Sequence, residues 1–218
     1  MLPETATTWN IDEENIFEVQ NNFTRDVLGQ DNLFTRVNLL DLQLVIDACQ
    51  FIGYEKDRYV YLNQDANSDY YASLEFSAII PEDMDLYFYY KGSHSHICTV
   101  FLDDQPVYTD GDGVSSMQYE NIVHIGEVSQ GQKIEIYYSD VSRMQEEAEL
   151  NMYLYQYHDD VMQNCLAEMQ ECVYEIDTFE DTYVSGTIHA AEDGILYTSI
   201  PYYRGFKAYV DGKETEIV

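Results

Sequence analysis

Basic side chains are scarce in this sequence. Lys and Arg together number 10 against 41 Asp and Glu, which gives a formal net charge of -31 at pH 7. A field of that sign repels phosphate backbones and anionic lipid, so the sequence predicts no nucleic-acid partner. Such a charge favours solubility in an exposed setting, and it leaves a polycation, a metal ion or a basic protein as alternative partners.

Long apolar runs are also missing. No stretch approaches the roughly 18 consecutive apolar residues that a membrane span requires. The opening segment, MLPETATTWN, lacks the basic start and apolar run of a signal peptide. We therefore expect the 218 residues to be soluble by themselves, whatever flanks them in a longer protein.

Cysteine is rare, and the four residues are too scattered for a disulfide scaffold. They are Cys49, Cys98, Cys165 and Cys172. Cys165 and Cys172 lie in a helical pattern, and two turns of helix would separate them by roughly 10 Å, beyond the reach of a disulfide. We expect buried thiols, and a single unassigned disulfide stays open as the alternative.

The short motifs of several enzyme classes are absent. The sequence contains no GxSxG nucleophile elbow, Walker loop or dinucleotide-binding fingerprint. Carboxylates are so numerous that a glycosidase acid/base pair stays open, but no spacing selects one. Nothing in the sequence demands an enzyme, so we expect neither a catalytic residue nor a cofactor.

Hydrophobic residues make up 45% of the sequence, and most of them follow strand periodicity. From about Leu39 to Tyr157, apolar and polar residues alternate, as in YASLEFSAI and DLYFYY. Turn signals such as Asp103-Asp104 and Gln130-Gly131 separate the runs. Many short strands at this spacing are typical of a β-sandwich or jelly roll.

Two segments show helical periodicity instead. DEENIFEVQNNFTRDVLGQD places apolar residues, beginning with Phe17, near one face and ends at Gly29. HDDVMQNCLAEMQEC begins a second helix with Asp159 or Asp160 as its N-cap. The sequence thus predicts a mainly β protein, a jelly-roll-like β-sandwich with an N-terminal helix and one further helix near 158–172.

We expect three parts along the chain: a helical lead-in over 1–40, a β-sandwich over 41–157, and a helix plus strands packed on the sandwich over 158–218. The last part contains the strand-like runs VYEIDTF, YVSGTIHA, GILYTSIPYY and FKAYV. Asp211-Gly212 then predicts a hairpin turn. The return strand, expected from Thr215 to Val218, has barely begun where the sequence stops, so we expect the sheet to be truncated there.

Tyrosine is the most abundant aromatic residue, with 21 copies against a single Trp. In NMYLYQYHD, alternation places Tyr153, Tyr155 and Tyr157 on one face of a strand. An exposed row of such rings suits the faces of sugar rings, so these three are candidate binding residues. The alternative is that this face also packs, against the helix that starts near Asp159.

Two groups of residues bear on metal binding. Four aspartates fall in one loop region, namely Asp103, Asp104, Asp110 and Asp112. Their DGDG segment is similar to half of a calcium loop, although the following VSS breaks the EF-hand spacing, so a solvated turn is the alternative. His94 and His96 alternate along a strand but lack a third zinc ligand nearby. The sequence therefore assigns no metal site and leaves the aspartates as candidates.

Two stretches at opposite ends of the sequence resemble a known family. NIFEVQNNFTRDVLGQDNLFTRV is similar to the segment that opens the large extracellular region of the YfhO family of bacterial multi-pass membrane proteins, and GILYTSIPYYRGFKAYVDGKETEI resembles the near-terminal pattern of that family. The residues that fit this pattern are Ser199, Ile200, Pro201, Tyr202, Gly205, Phe206, Val210, Asp211, Gly212 and Lys213. Tyr203 stands where an acidic residue is more usual, and Phe206 where Trp is common.

The resemblance implies an excised extracellular domain of a polytopic membrane protein. The family resembles glycosyltransferases that use polyprenyl-phosphate sugars, and some members are implicated in decorating lipoteichoic acid or related glycopolymers. Their catalytic acids are expected between membrane helices upstream of Met1, so the resemblance implies a non-catalytic fragment on the extracellular face of the bacterial membrane. Its implied partners are a cell-surface glycopolymer or the membrane region of the parent protein.

Other interpretations stay open. A secreted carbohydrate-binding β-sandwich module would use the tyrosine row and would have no membrane spans upstream, and a secreted glycoside hydrolase would need a carboxylate pair. Because a truncated sheet leaves an open edge, we also expect some self-association between copies. The charge of -31 opposes binding of polyphosphate chains, so amino-sugar or D-alanyl decorations fit better.

Overall fold

A computed structural model describes residues 15–55, 57–63, 71–110, 121–142, 146–170, 173–190, 194–198 and 200–217. The chain divides into two compact units. One is Phe34–Tyr157, and the other joins the residues up to Leu33 with those from His158 onward. The predicted three-part division at residues 40 and 157 stays a prediction.

The described residues of the unit Phe34–Tyr157 form two antiparallel sheets. The strands are β1 (Phe34–Arg36), β2 (Leu40–Asp47), β3 (Cys49–Glu55), β4 (Arg58–Asn63), β5 (Ala72–Ile79), β6 (Met84–Gly92), β7 (His96–Leu102), β8 (Gln105–Asp110), β9 (Asn121–Val128), β10 (Lys133–Asp140) and β11 (Glu147–Tyr157). The six-stranded sheet has the order β3-β4-β11-β6-β9, with β1 paired to β11, and the five-stranded sheet has the order β2-β5-β10-β7-β8.

The connections between the two sheets are those of a jelly roll. Strands β4, β6, β9 and β11 lie in one sheet, and β5, β7, β8 and β10 lie in the other. The first strands of this series pair with the last, β4 with β11 and β5 with β10. This wrapping corresponds to two Greek keys, so the predicted mainly β, jelly-roll-like sandwich is confirmed.

Alternation along the strands builds the core of the sandwich. In β5 and β10, every second residue is buried. Leu74 and Phe76 of one sheet meet Leu86 and Phe88 of the other in a single apolar cluster. Burying a side chain of this size stabilises the folded chain by roughly 1.5–3 kcal/mol. Both sheets therefore turn an apolar face toward this shared core.

The turn between β7 and β8 has the geometry that its sequence predicts. Asp103 and Asp104 both have positive φ, at 47° and 63°, as a two-residue type I′ turn requires. Leu102 pairs directly with Gln105 across this turn. Aspartate adopts the left-handed region more readily than most non-glycine residues, which explains why two acidic residues serve here.

The described residues of the second unit contain two helices and two short hairpins. The elements are α1 (Ile16–Leu28), α2 (Asp159–Gln170), β12 (Tyr174–Glu180), β13 (Tyr183–Ile188), β14 (Ala208–Val210) and β15 (Lys213–Thr215). The Asn15 side chain accepts hydrogen bonds from the first turn of α1, and Gly29 ends the helix with φ of 67°. The predicted helix end at Gly29 is therefore confirmed, because glycine reaches the left-handed region without strain.

The start of α2 differs from the prediction. The carbonyl oxygen of His158 accepts the first helical hydrogen bond, from the Met162 N–H at 3.2 Å. His158 is therefore the N-cap residue, and neither aspartate has that role. Asp159 and Asp160 instead lie in the first turn, where their charges interact favourably with the positive end of the helix dipole.

The C-terminal strands are shorter than the sequence predicts. Within GILYTSIPYY, the described residues contain only an isolated bridge at Ile195. The Asp211-Gly212 turn is confirmed, with φ values of 51° and 76°. The return strand, however, begins directly after this turn and ends at Thr215, because Val210 pairs with Lys213. A two-residue turn sets that register.

The described cysteines are free thiols. Cys98 and Cys165 are buried, and Cys49 is partly buried in β3. Burial, followed by the nearby carboxylates of Asp140 and Asp47, raises the pKa of Cys49 to about 11. Burial also raises the pKa of Cys98 and Cys165, so the protonated form of these thiols is favoured at neutral pH. Cys172 lies outside the described residues.

Gly92, the last residue of β6, lies in a crowded part of the core. A Cβ atom there would overlap the hydroxyl oxygen of Tyr138 and lie 2.8 Å from Nδ1 of His96, and both of these side chains are buried. We expect Gly92→Ala to lower the free energy of unfolding by about 1–3 kcal/mol, the usual cost of overpacking a core. Urea denaturation measures this change.

Gly53→Ala is the matched control, because nothing lies within 4 Å of a Cβ atom at Gly53 in β3. This change should leave the free energy of unfolding almost unaltered. If both variants lost stability equally, crowding at Gly92 would not be the cause.

Candidate functional site

A buried polar network surrounds the end of β10. Asp140 is fully buried, and its carboxylate accepts hydrogen bonds from Tyr61 Oη at 3.0 Å, the Ser142 N–H at 2.9 Å and Ser142 Oγ at 2.6 Å. Nδ1 of His94 also lies 2.9 Å from this carboxylate. Buried polar groups with this many partners are well satisfied, so the network ties β4 and the loop before β7 to the end of β10.

The same residues have the composition of a catalytic triad but not its geometry. In a triad, serine and aspartate bond to different ring nitrogens of the histidine. Here Ser142 Oγ, at 3.2 Å, and Asp140, at 2.9 Å, both face Nδ1 of His94. Nε2 of His94 instead lies 3.4 Å from Glu146. The geometry therefore does not activate Ser142 as a nucleophile, and the network stabilises the fold.

The histidine pair has no metal-binding geometry. His94 lies in the bend between β6 and β7, not on a strand with His96. Nδ1 of His96 lies 2.7 Å from the carbonyl oxygen of His94. Across the part of the chain that the structure describes, no three His, Cys, Asp or Glu side chains are grouped as metal ligands.

The candidate aspartates are split between the two ends of β8. Asp103, in the turn before β8, accepts a hydrogen bond from the Lys133 N–H at 2.9 Å and so fastens this turn to β10. Asp110 is the last residue of β8. A six-residue strand spans roughly 16–20 Å, so Asp103 and Asp104 are too far from Asp110 to share an ion. Asp112 lies outside the described residues.

The candidate tyrosine row lies on the outer face of the six-stranded sheet. Tyr153 stacks on Tyr89 of β6, with ring centroids 4.4 Å apart and 5° between the ring planes. Tyr155 is 2% exposed and meets Tyr153 edge to face, and Tyr157 packs near Tyr87 at 5.7 Å. Because these rings contact one another, the row does not present three open faces. Its role in binding stays a prediction.

An open groove of about 320 Å³ lies on the outer face of the five-stranded sheet. The residues that line it are Thr99, Phe101, Asp104, Glu135 and Tyr137. The alternation that buries Ile134 and Ile136 in the core turns Glu135 and Tyr137 outward. The register of β10 against β7 then places Tyr137 opposite Thr99 and Glu135 opposite Phe101.

Two aromatic rings form the apolar part of this groove. Phe101 and Tyr137 pack edge to face, with ring centroids 5.4 Å apart and 76° between the ring planes. Tyr137 remains 36% exposed. A ring held by a second ring keeps its orientation, so a ligand that stacks on it loses little side-chain entropy.

The polar part of the groove is acidic. Glu75 of β5 lies opposite Tyr137 on the side away from β7, and Glu135 forms an ion pair with Lys133 at 2.6 Å. Burial raises the pKa of Tyr137 above its ordinary value, the carboxylates of Glu135 and Glu75 raise it further, and Lys133 opposes them. The phenol therefore stays protonated at neutral pH and can donate a hydrogen bond beside carboxylates that accept them.

Sequence reasoning missed Tyr137, although a signal for it was present. In QKIEIYYSD, alternation from Ile134 and Ile136 assigns Tyr138 to the core and Tyr137 to the outer face. Its partner Phe101 had no such signal, because the pairing depends on the register between β7 and β10.

A family model described as bacterial membrane protein YfhO matches residues 2–218. No curated protein matches the chain significantly. In the described part of the chain, no helix has both the length and the apolar character needed to cross a membrane.

Several solved structures of carbohydrate-binding modules are similar to part of the chain. A mutant of a family 29 module has 12% identity over 56% of this chain and 89% of that chain, with a TM-score of 0.35. A family 29 module from Piromyces equi has 10% identity over 57% and 90%, with a TM-score of 0.35. TmCBM61 in complex with β-1,4-galactotriose has 13% identity over 53% and 88%, with a TM-score of 0.34. Likenesses at this level carry no inference about what this chain binds.

The network around Asp140 leads to a stability prediction. We expect Asp140→Asn to lower the free energy of unfolding by at least about 2 kcal/mol, because the amide NH₂ would face donors in place of an acceptor. Chemical denaturation measures this loss. Asp83→Asn is the control, since Asp83 accepts its hydrogen bond from the Gln130 N–H in an exposed turn. Equal losses in the two variants would contradict a stabilising role for the buried network.

Proposed function

The chain belongs to the family described as bacterial membrane protein YfhO, and on that premise we propose that it is a glycan-binding, non-catalytic extracellular domain of a membrane glycosyltransferase-like protein. The domain holds a cell-surface glycopolymer of the lipoteichoic-acid type, and the membrane part of the parent protein carries out the transfer. The groove around Tyr137 is the surface that binds the glycan.

The geometry of this groove is the observation that carries the proposal. A sugar ring has an apolar face of C–H groups and a rim of hydroxyl groups. The exposed ring of Tyr137 matches the apolar face, and Glu135, Asp104 and Thr99 place hydrogen-bonding oxygens around it. Small-molecule sites commonly combine aromatic walls with a few polar groups in this way.

The same residues favour binding over hydrolysis. Glu135 is ion-paired with Lys133, and Asp104 is an exposed residue of the turn before β8. An ion-paired carboxylate and a solvent-exposed one both differ from a glycosidase general acid, which is unpaired and lies in apolar surroundings. Binding without chemistry agrees with catalytic residues that reside elsewhere in the parent protein.

The charge of the groove limits the kind of glycan that fits. Three carboxylates, those of Glu75, Asp104 and Glu135, surround the ring of Tyr137, and Lys133 is the cation among them. A chain with a net charge of -31 repels bare polyphosphate as well. The groove therefore favours neutral sugars and sugars that carry a free amine.

Replacement of Tyr137 tests the groove directly. We expect Tyr137→Ala to weaken binding of an amino-sugar-decorated lipoteichoic acid at least about tenfold, because the stacking ring is lost. Isothermal titration calorimetry measures this affinity. Tyr71→Ala is the matched control, since Tyr71 is 42% exposed in the same unit. A similar loss in both variants, or no binding by the unmodified chain, would overturn the proposal.

A pair of oligosaccharides tests the charge preference. Chitosan and chitin oligosaccharides of equal length differ in the free amine, and we expect the chitosan form to bind about tenfold more tightly. Glu75→Gln combined with Glu135→Gln should remove most of this preference. Glu82→Gln combined with Glu127→Gln makes the same charge change at two exposed residues outside the groove and should keep it. Equal effects would assign the preference to net charge alone.

A further inference from the structure

The groove around Tyr137 is the centre of a longer row of side chains on the outer face of the five-stranded sheet. From one edge of the sheet to the other, the registers place these residues directly opposite one another: Val45 of β2, Glu75 of β5, Tyr137 of β10, Thr99 of β7 and Thr109 of β8. They are called here the transverse row. Because directly opposite residues of antiparallel strands share a face, with Cβ atoms about 4.5–5.5 Å apart, the row is continuous across the sheet.

The length of the transverse row exceeds that of the groove. Five strands are separated by four gaps of about 4.8 Å, so the row spans about 19 Å. The groove, at about 320 Å³, is near the lower limit for small-molecule sites. The repeat of an extended chain of pyranose sugars is close to one strand spacing, so the row has room for about four sugar units.

Both ends of the transverse row are exposed. Val45 is 56% exposed, and Thr109 is also exposed. Their strands, β2 and β8, are the first and the last in the order of the sheet. A linear chain that follows the row can therefore continue past both edges, as an internal segment of a polymer does.

A path along β10 is less open than the path across the strands. Asp103, in the turn before β8, accepts hydrogen bonds from Gln132 Nε2 at 3.1 Å and from the Lys133 N–H at 2.9 Å. Lys133 Nζ also contacts Glu135 at 2.6 Å. These contacts hold the turn and an ion pair at the start of β10, where they lie in the path of a chain that runs along the strand.

Short hydroxyl side chains surround the ring of Tyr137. Ser73 lies opposite Ser139, and Ser77 lies opposite Glu135, and these three serines are partly exposed on the outer face. Because serine is much shorter than tyrosine, these positions leave space beside the ring. Their hydroxyl groups can both donate and accept hydrogen bonds, as the hydroxyl groups of a sugar do.

We propose that the transverse row binds an internal segment of an extended linear glycan, about four sugar units long, that runs across the strands. This inference rests on the proposed function, in which Tyr137 stacks on one sugar. The neighbouring units then lie over Glu75 and Val45 on one side and over Thr99 and Thr109 on the other. The ligand class is therefore the interior of a glycopolymer and not its terminal sugar.

The dependence of affinity on glycan length tests this inference. NMR titration of the 218-residue chain with chitin oligosaccharides of two, four and six units measures the affinities, and these uncharged sugars are not attracted by the net charge. A site for two units finds three registers on a four-unit chain, which alone gives a threefold gain. We expect the four-unit sugar to bind at least about tenfold more tightly than the two-unit sugar. Amide shifts with the four-unit sugar should extend from β2 to β8.

Variants at the two ends of the row sharpen the test. Val45→Ala combined with Thr109→Ala should reduce the gain from two to four units to threefold or less, and it should leave binding of the two-unit sugar unchanged. Ile122→Ala combined with Thr187→Ala is the matched control, since both residues are exposed and lie outside the five-stranded sheet. The control should keep the tenfold gain, whereas Tyr137→Ala should weaken binding at every length.

The outcomes separate this inference from the proposed function. If the two-unit sugar binds through Tyr137 and the gain with length is only threefold, the transverse row is wrong and the glycan-binding groove remains. Amide shifts that follow β10 alone, or equal losses in the end variant and its control, would also overturn the row. If no length of sugar and no decorated lipoteichoic acid binds, both the row and the proposed function are wrong.

Discussion

The two faces of β10 have opposite environments, an apolar core and an exposed groove, and the rest of the sandwich depends on the register that keeps each residue on its own face. Its inward residues, including Ile134 and Ile136, lie in the apolar core, and its outward residues Glu135 and Tyr137 line the groove. Since β10 pairs with both β5 and β7, a shift of one residue would expose the core set and bury a glutamate. At its end, buried Asp140 supports this register through the hydrogen bond that it accepts from Tyr61 of β4 and through its contact with His94.

Charge gives the molecule its second constraint. With 41 acidic residues against 10 basic ones, the few cations act locally, where their position decides their effect. Lys133 moderates the acidic groove through its ion pair with Glu135. A single net charge therefore does not describe the local chemistry of this groove.

Sequence reasoning succeeded where short-range chemistry decides the structure. Gly29 ends α1, and the Asp103-Asp104 and Asp211-Gly212 turns form, because the required backbone angles suit these residues whatever surrounds them. It failed at two places where the residue types leave the local backbone conformation open. The carbonyl of His158 begins α2 although two aspartates follow it, and the tyrosine-rich run before Arg204 forms only an isolated bridge in its described residues.

By itself, the sequence determined the mainly β class, the alternation that divides core from surface, and the resemblance at both ends to one family, since each of these depends on residue order alone. The tertiary structure decided which outward residues meet. Phe101 and Tyr137 lie 36 positions apart and form one aromatic pair only because β7 and β10 are neighbours in one register. Asp103 and Asp110 lie seven positions apart and are separated because β8 extends between them. Which residues become neighbours in a sandwich depends on how the strands pair, and the apolar–polar alternation of the sequence is compatible with many different pairings.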